Sequence, residues 1–363
     1  MDTSLAFDAS SPARVAARPL STRIADDKAM LKAAAELTRD LHAARPAIYW
    51  TDMLLSAGIG YAAVVGAILA PSLGLALLAG AVAVFALYRA GSFIHEVSHI
   101  KHAALPGFRL GWNLAVGIPL MVPSFMYEGV HNLHHARTRY GTVEDPEYLP
   151  LALMKPWSVP AFVAIAALAP IGLLIRYALL TPLSFVIPGL RKPVVERLSA
   201  LAINPQFRRR SPEGEAKALW DRLELATSAW AITLLTLTAT GVIPLRALLV
   251  FLGVISVVTV INQVRTLVAH LWENEGEAMT VTAQYLDSVN VPPPALLPML
   301  WAPVGLRYHA LHHLLPGLPY HALSEAHRRL SGVLEQGSPY HKASYAGLPG
   351  LLDRLVRSTF KAR

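Results

Sequence analysis

The sequence predicts an all-α integral membrane protein: about four transmembrane helices in two hairpins, a membrane-embedded or interfacial hairpin between them, and a cytosolic helical, histidine-rich cap able to hold two metals. Three observations carry that expectation. Hydrophobic residues make up 54% of the 363 positions and charged residues only 15%, whereas soluble domains carry about a quarter charged residues. Apolar runs near membrane-spanning length come in pairs. Ten of the fourteen histidines fall into four compact groups outside those runs.

Residues 1–50 are mostly polar or alanine, contain Ser10-Ser11-Pro12 and lack an apolar run ahead of a cleavage site, so they read as a polar tail and not a signal peptide. The first hairpin occupies 51–90: one apolar run from Met53 to Ala70, a break at Pro71-Ser72, and a second from Leu73 to Tyr88. Gly58-Ile59-Gly60 lies inside the first run and reads as close helix packing, not a nucleotide fingerprint. Residues 91–155 form a cytosolic segment with two histidine boxes. Within it Gly111 to Met126, apolar and broken by Pro119 and Pro123, is expected to dip into the interface along the route of a lipid substrate.

Residues 156–190 are apolar but carry Pro160, Pro170, Pro182 and Pro188, with Arg176 near the middle. Repeated prolines break helices and a charge is costly at the bilayer centre, so a re-entrant or interfacial hairpin is expected. A basic cytosolic linker follows over 191–225. The second transmembrane hairpin spans 226–262, with runs Thr227–Thr240 and Leu245–Ile261 about the turn Gly241-Val242-Ile243-Pro244. Residues 263–363 form a cytosolic C-terminal segment. Histidine groups share one site only if an even number of crossings separates them, which two hairpins satisfy.

The net charge of +8 comes from 32 basic and 24 acidic side chains, with much of the excess in Arg191 to Arg222 and beyond Arg328. A basic surface beside apolar spans faces anionic headgroups on the cytoplasmic side, which places the metal site there too. It also suits an acidic electron carrier; nucleic acid is not an expected partner. Zero cysteines exclude disulfides, thiolate-ligated iron–sulfur clusters, cysteine zinc sites and covalently attached c-type haem. Any metal is held by nitrogen or oxygen.

The groups are His95, His99 and His102; His131, His134 and His135; His270; and His309, His312 and His313. Positions i, i+3 and i+4 share one helical face, so each H-x-x-H-H segment projects three imidazoles together. Neutral imidazole ligates iron, zinc, copper and nickel. His42, His327 and His341 lack such company and read as surface residues, while His321 stays undecided. His95-Glu96-Val97-Ser98-His99 also fits the H-E-x-x-H pattern of zinc hydrolases. A single zinc would leave both H-x-x-H-H segments unexplained, so a membrane metalloprotease is a lesser alternative. A metal transporter ranks lower still, since it would place ionisable ligands within its spans.

From about Gly91 to Leu330, this order of boxes resembles the membrane fatty-acid desaturase and hydroxylase superfamily, including Asp145-Pro146-Glu147 and the run Leu311 to Leu330. The resemblance implies that His95, His99, His131, His134, His135, His270, His309, His312 and His313 bind two non-haem iron ions that activate dioxygen. His102 is an extra histidine, a candidate ligand or supporting group, and Ile100 stands where many relatives have glycine. Some desaturases use an asparagine one turn before the lone histidine; Asn262 is eight residues away, and that role is not carried over. Glu96, Glu128, Asp145 and Glu273 are candidates to orient the imidazoles, because metal-bound histidines donate their second N–H to an acceptor.

The implied activity is desaturation of a lipid acyl chain. Hydroxylation or ketolation of a carotenoid, alkane or other lipid is the alternative. Electrons are expected from a separate ferredoxin or cytochrome with its reductase, since the chain has no recognisable redox domain of its own. Substrate is expected to enter from the bilayer.

Overall fold

The computed structural model describes residues 24–361, and among these every named element is a helix, joined elsewhere only by isolated bridges. The longer helices are α1 (Lys28–Leu37), α2 (Pro46–Leu69), α3 (Leu73–His99), α4 (Ser158–Val186), α5 (Arg191–Leu198), α6 (Gly214–Ala239), α7 (Leu245–Leu267), α8 (Leu323–Val333) and α9 (Leu348–Lys361). Four of them, α2, α3, α4 and α7, are long and apolar enough to cross a membrane.

Pro46 stands in the first turn of α2, where its missing N–H costs nothing. Ser72 caps α3 through its side chain, so the break at Pro71-Ser72 turns one helix into the next. The two pack so closely that a Cβ on Gly60 would come within 2.6 Å of Leu87, the packing role expected of that stretch, whereas Gly58 has open space beside it. Leu55, Leu69, Leu73 and Leu77 remain exposed on the outer faces, a surface suited to hydrocarbon and not to water. The segment after the first box inserts beside this hairpin. Tyr61, fifteen residues into α2, donates to the Ala115 carbonyl at 2.9 Å, so 108–122 reaches well along the span with Leu110 and Leu114 facing outward.

Over 156–190 the turn falls later than the prolines imply. Ser158–Val186 is one continuous rod, α-helical except for a π turn at Arg176–Leu180; the chain turns at 187–190, with Gly189 at φ +83°, and returns through α5. Pro182 follows directly on the π turn, where the hydrogen-bond register of the rod is already shifted. Both ends of this excursion meet the histidine segments: Ala152 N–H donates to the Trp272 carbonyl at 3.3 Å, and the Asn204 amide donates to the Asp145 carbonyl at 3.0 Å.

Arg176 is buried but paired. It donates to Glu224 at 2.6 Å, Ser199 at 2.8 Å, the Leu198 carbonyl at 3.0 Å and Thr181. Glu224 belongs to α6, whose first half is charged and whose second half is apolar; for that reason α6 is not among the four apolar rods, although it precedes α7 as expected.

The polar-tail expectation for 1–50 needs correction where the structure describes it; residues 1–23 lie outside the described residues. Asp27 caps α1 by accepting from Met30 N–H at 2.9 Å, and its own N–H donates to Thr282 at 2.8 Å. Met30 and Ala34 are buried in one cluster with Tyr285, Leu311 and Leu330. Arg329 binds the Leu37 carbonyl at 2.9 Å and the Asp40 carboxylate at 2.6 Å. A polar, alanine-rich decapeptide with only two buried positions, Met30 and Ala34, gives too weak a pattern to announce this docking.

Candidate metal centre

Three chain segments bring the histidines together. α3 runs on past its apolar part, so His95 and His99 stand one turn apart at its end. His131–His134 forms a single helical turn entered through Gly129, whose φ of +75° favours glycine. The lone histidine and the last box are fastened by a central extended strip, Ser288–Val291. Val289 N–H donates to Ala269 at 3.0 Å, Leu271 N–H to Asp287 at 2.7 Å, and Ala310 N–H to Val289 at 3.1 Å. Asn290 Oδ1 then accepts from Leu311 N–H at 3.0 Å. These bonds set His309, His312 and His313 on a short helix facing His270.

All nine histidines named for the metals converge, in two groups. One comprises His95, His99, His131, His135 and His312, the other His134, His270, His309 and His313; within each, one ligand atom per residue lies within 4.8 Å of the others. The Nε2 atoms face one another: His131 to His135 at 3.1 Å, His312 to His99 and to His135 at 3.1 Å, His309 to His270 at 3.0 Å and to His313 at 3.2 Å. His135 and His313 stack at 4.3 Å between ring centres, linking the groups.

The opposite ring nitrogens decide what these contacts mean. His131 Nδ1 lies 2.8 Å from Glu147 and His134 Nδ1 2.9 Å from Asp145. His270 Nδ1 lies 2.8 Å from the Tyr140 hydroxyl, which in turn donates to Asp287 at 2.7 Å. With the Nδ1 protons of His131, His134 and His270 held by acceptors, the Nε2 atoms of these three rings carry lone pairs turned toward the neighbouring imidazoles. Ligand nitrogens about 2.1 Å from a shared metal sit roughly 3.0–3.4 Å apart. The donor set therefore fits metal ions, and the nitrogen-only chemistry suits a borderline transition metal.

Electrostatics agree. Burial pushes His131, His135, His270, His309, His312 and His313 well below the usual imidazole range, with neighbouring histidines adding to the effect. These rings are neutral at physiological pH, as ligation requires. Burial also opposes protonation of His134, but Asp145 outweighs it and lifts His134 above its ordinary value. Burial raises Glu147 to about 7 and Asp287 to about 6; neutral imidazoles compensate their charge poorly, whereas a bound cation would favour both carboxylates.

Of the four supporting acids expected from sequence, Asp145 is placed as foreseen. It is fully buried, binds His134, and accepts from Gly141 and Glu147 N–H at 2.8 Å each. Glu96 is buried 3.6 Å from His95 Nδ1, held by the Tyr49 hydroxyl and by Tyr320 N–H at 3.1 Å. Its carboxylate is thus committed to Tyr49 and Tyr320. Glu128 binds Ser124 and Arg109 and reaches no histidine of either group. Glu273 pairs at the surface with Arg354 at 3.0 Å.

His102 lies outside both groups, half-exposed and 3.4 Å from Glu128. His42 is exposed as expected. His327 is not a surface residue: it is half-buried, 2.8 Å from the Tyr340 hydroxyl. His341 is half-buried 3.1 Å from the Leu334 carbonyl, and His321 accepts from Arg45 N–H at 3.2 Å, away from the cluster. Sequence reasoning passed over Glu147 as a supporting group, although it closes the Asp145-Pro146-Glu147 motif. It also missed Tyr140 and Asp287, which no spacing rule ties to His270.

The chain matches the fatty acid desaturase family over residues 69–344 and belongs to that family. With its apolar rods, this makes it a membrane protein of an oxidative, lipid-modifying class. A curated relative, the ceramide hydroxylase of Caulobacter vibrioides (strain NA1000 / CB15N), is 49% identical over 335 residues, covering 92% of this chain and 95% of the relative. No solved structure matches the chain.

Proposed function

We propose that this protein is a dioxygen-dependent hydroxylase of a ceramide-type lipid, using two iron ions held by the nine histidines. The observation that carries this reading is the convergence of all nine imidazoles in a chain half identical, nearly end to end, to a ceramide hydroxylase. Iron supplies the oxidising power that no acid–base side chain has toward an unactivated C–H bond. The balance is one C–H bond, one dioxygen, two electrons and two protons giving one alcohol and one water.

The protein's own part is orientation and exclusion. Asp145, Glu147 and the Tyr140–Asp287 pair hold the Nδ1 protons, so the Nε2 atoms point inward in one tautomer. Burial of His131, His134, His270, His309 and His312 keeps bulk water from the reacting carbon. The chain carries no redox cofactor motif of its own, so electrons come from a separate ferredoxin or cytochrome with its reductase. The basic segment 191–225 supports a site on the cytoplasmic side, where such a carrier would dock.

Desaturation of an acyl chain is the second reading, favoured by the family match. Lipid mass spectrometry on a ceramide-containing bacterial host, with and without the chain, separates the two. Gain of one oxygen atom is expected; loss of two hydrogens would replace hydroxylation with desaturation, and an unchanged ceramide pool would refute the substrate.

A further inference from the structure

One cation next to the histidines has no role so far. Arg265 stands in the last turn of α7, five residues before His270. Its Nε is buried without a hydrogen-bond partner. Solvated arginines at helix ends point into water and satisfy every donor; this one does not.

Its surroundings share the deficiency. Among the described residues, the other buried side-chain atoms without partners are both ring nitrogens of His95, Nδ1 of His309 and the Ser158 hydroxyl. His95 and His309 each feel the charge of Arg265 and interact with one another. One belongs to the first histidine group and the other to the second, and His270, Tyr127 and Glu147 feel the same charge. Arg265 thus lies within electrostatic reach of both groups. With Nε2 committed to metal, His309 Nδ1 is an N–H donor without an acceptor, as is Arg265 Nε, while His95 Nδ1 has the Glu96 carboxylate 3.6 Å away. What Arg265 Nε and His309 Nδ1 lack is an acceptor oxygen.

The same place adjoins a lipid-facing surface. Tyr88, beside Arg265, donates to the Trp301 carbonyl at 2.9 Å, which fastens the short helix Pro298–Trp301 against α3 and α7. Leu296, Leu297 and Met299 on that segment are 76%, 71% and 63% exposed, an apolar apron where the rods meet the polar cap. A lipid lying with its chain among the rods and its head at the cap would bring its first polar atoms to this level.

We propose that Arg265 is a specificity-determining residue: it receives the amide carbonyl oxygen of an N-acyl lipid and so fixes which carbon faces the metals. This rests on the hydroxylase reading above. Because the carbonyl is the anchor, the oxidised carbon is counted from the head of the lipid and not from its methyl end. Two ceramides differing only in acyl length therefore acquire oxygen at the same distance from the amide.

The test uses iron-loaded, full-length protein in lipid nanodiscs, given ceramides of two acyl lengths, with product position read by fragmentation mass spectrometry and iron counted per chain. Wild type should oxidise one position, equal for both lengths when counted from the amide. R265M should lose product roughly ten-fold or more, with the residue spread over neighbouring carbons and iron unchanged. R265K, which keeps a charged donor, should retain the position at lower yield. Wild-type yield and position in R265M would overturn the proposal, as would loss of iron in both variants, or a position counted from the methyl end. If R265M fails to reach the membrane, the two-length comparison in wild type and R265K decides. If wild type yields a double bond, the hydroxylase reading fails, while the anchor stands or falls on the same count.

Discussion

Two polar islands are buried in this largely apolar chain, and they are satisfied in opposite ways. Around Glu224, the protein supplies every partner: Arg176 donates at 2.6 Å, Arg191 at 2.6 and 3.0 Å, and Trp220 at 3.1 Å. Around the nine histidines, acceptors hold the outer nitrogens of His131, His134 and His270, while imidazole nitrogens crowd one another at 3.0–3.2 Å on the inner side. A buried polar group without a partner is costly, so the protein tolerates the second arrangement only if a cation completes it. The first island is architecture; the second is a site.

The contrast breaks most directly at His134. Replacing it by alanine should abolish lipid oxidation and lower bound iron while the protein still inserts into membranes. Full turnover with unchanged iron would sink the ligand set. Glu224→Gln should do the reverse. Removing one partner of a buried ion pair costs about 3–5 kcal/mol, so the midpoint of thermal unfolding in detergent should fall while iron per folded chain stays the same. Loss of iron from that variant would mean that the two islands are one system.

pH sharpens the difference, because the raised carboxyls belong only to the histidine island. Glu147 is raised to about 7 from an ordinary 4.5, and Asp287 to about 6 from 3.8. In metal-free protein the folded state keeps these protons after the unfolded chain has lost them. Each group then removes about 1.4 kcal/mol of stability per pH unit as pH rises through its own window, and nothing further above the folded value. Chelator-stripped protein should therefore melt at falling temperature from about pH 4 to 7. Iron-loaded protein should not, since the cation favours both carboxylates. Identical profiles would detach these acids from the metal.

How much of this was legible in the sequence depends on the range of the interaction. The two H-x-x-H-H segments and the box His95 to His99 repeat at helical spacing, so eight of the nine candidate ligands could be read from local pattern, while the lone His270 came from the family resemblance. Asp145 was within reach for the same reason, lying in a short motif after its histidine. Tyr140 and Asp287 were not, because they meet His270 across 130 and 17 residues of chain, brought there by the backbone strip at Ser288–Val291. Prolines at 160 and 170 suggested a turn that the chain postpones to 187–190, since α4 is packed along α7, where Ser256 and Thr259 bond to its Ala167 and Ala166 carbonyls at 2.6 and 2.7 Å. Tertiary packing outweighed a local breaker. The docking of α1 escaped notice because only Met30 and Ala34 of it are buried.

The smallest effect is expected at His102, the extra histidine of the first box. It follows His99 by three residues and would share its face if α3 continued, which is why the spacing made it a tenth candidate. The helix ends first: His99 is its last residue, and Ile100 leaves the helical region at ψ 129°. That turns His102 toward Glu128 and Arg109 and away from the Nε2 cluster. An ion pair between partly exposed groups contributes about 0–1 kcal/mol. His102→Ala should therefore leave iron per chain unchanged and product yield within roughly two-fold of wild type. A fall in iron would show that the first group recruits this ring once metal is bound, and that the end of α3 moves to deliver it.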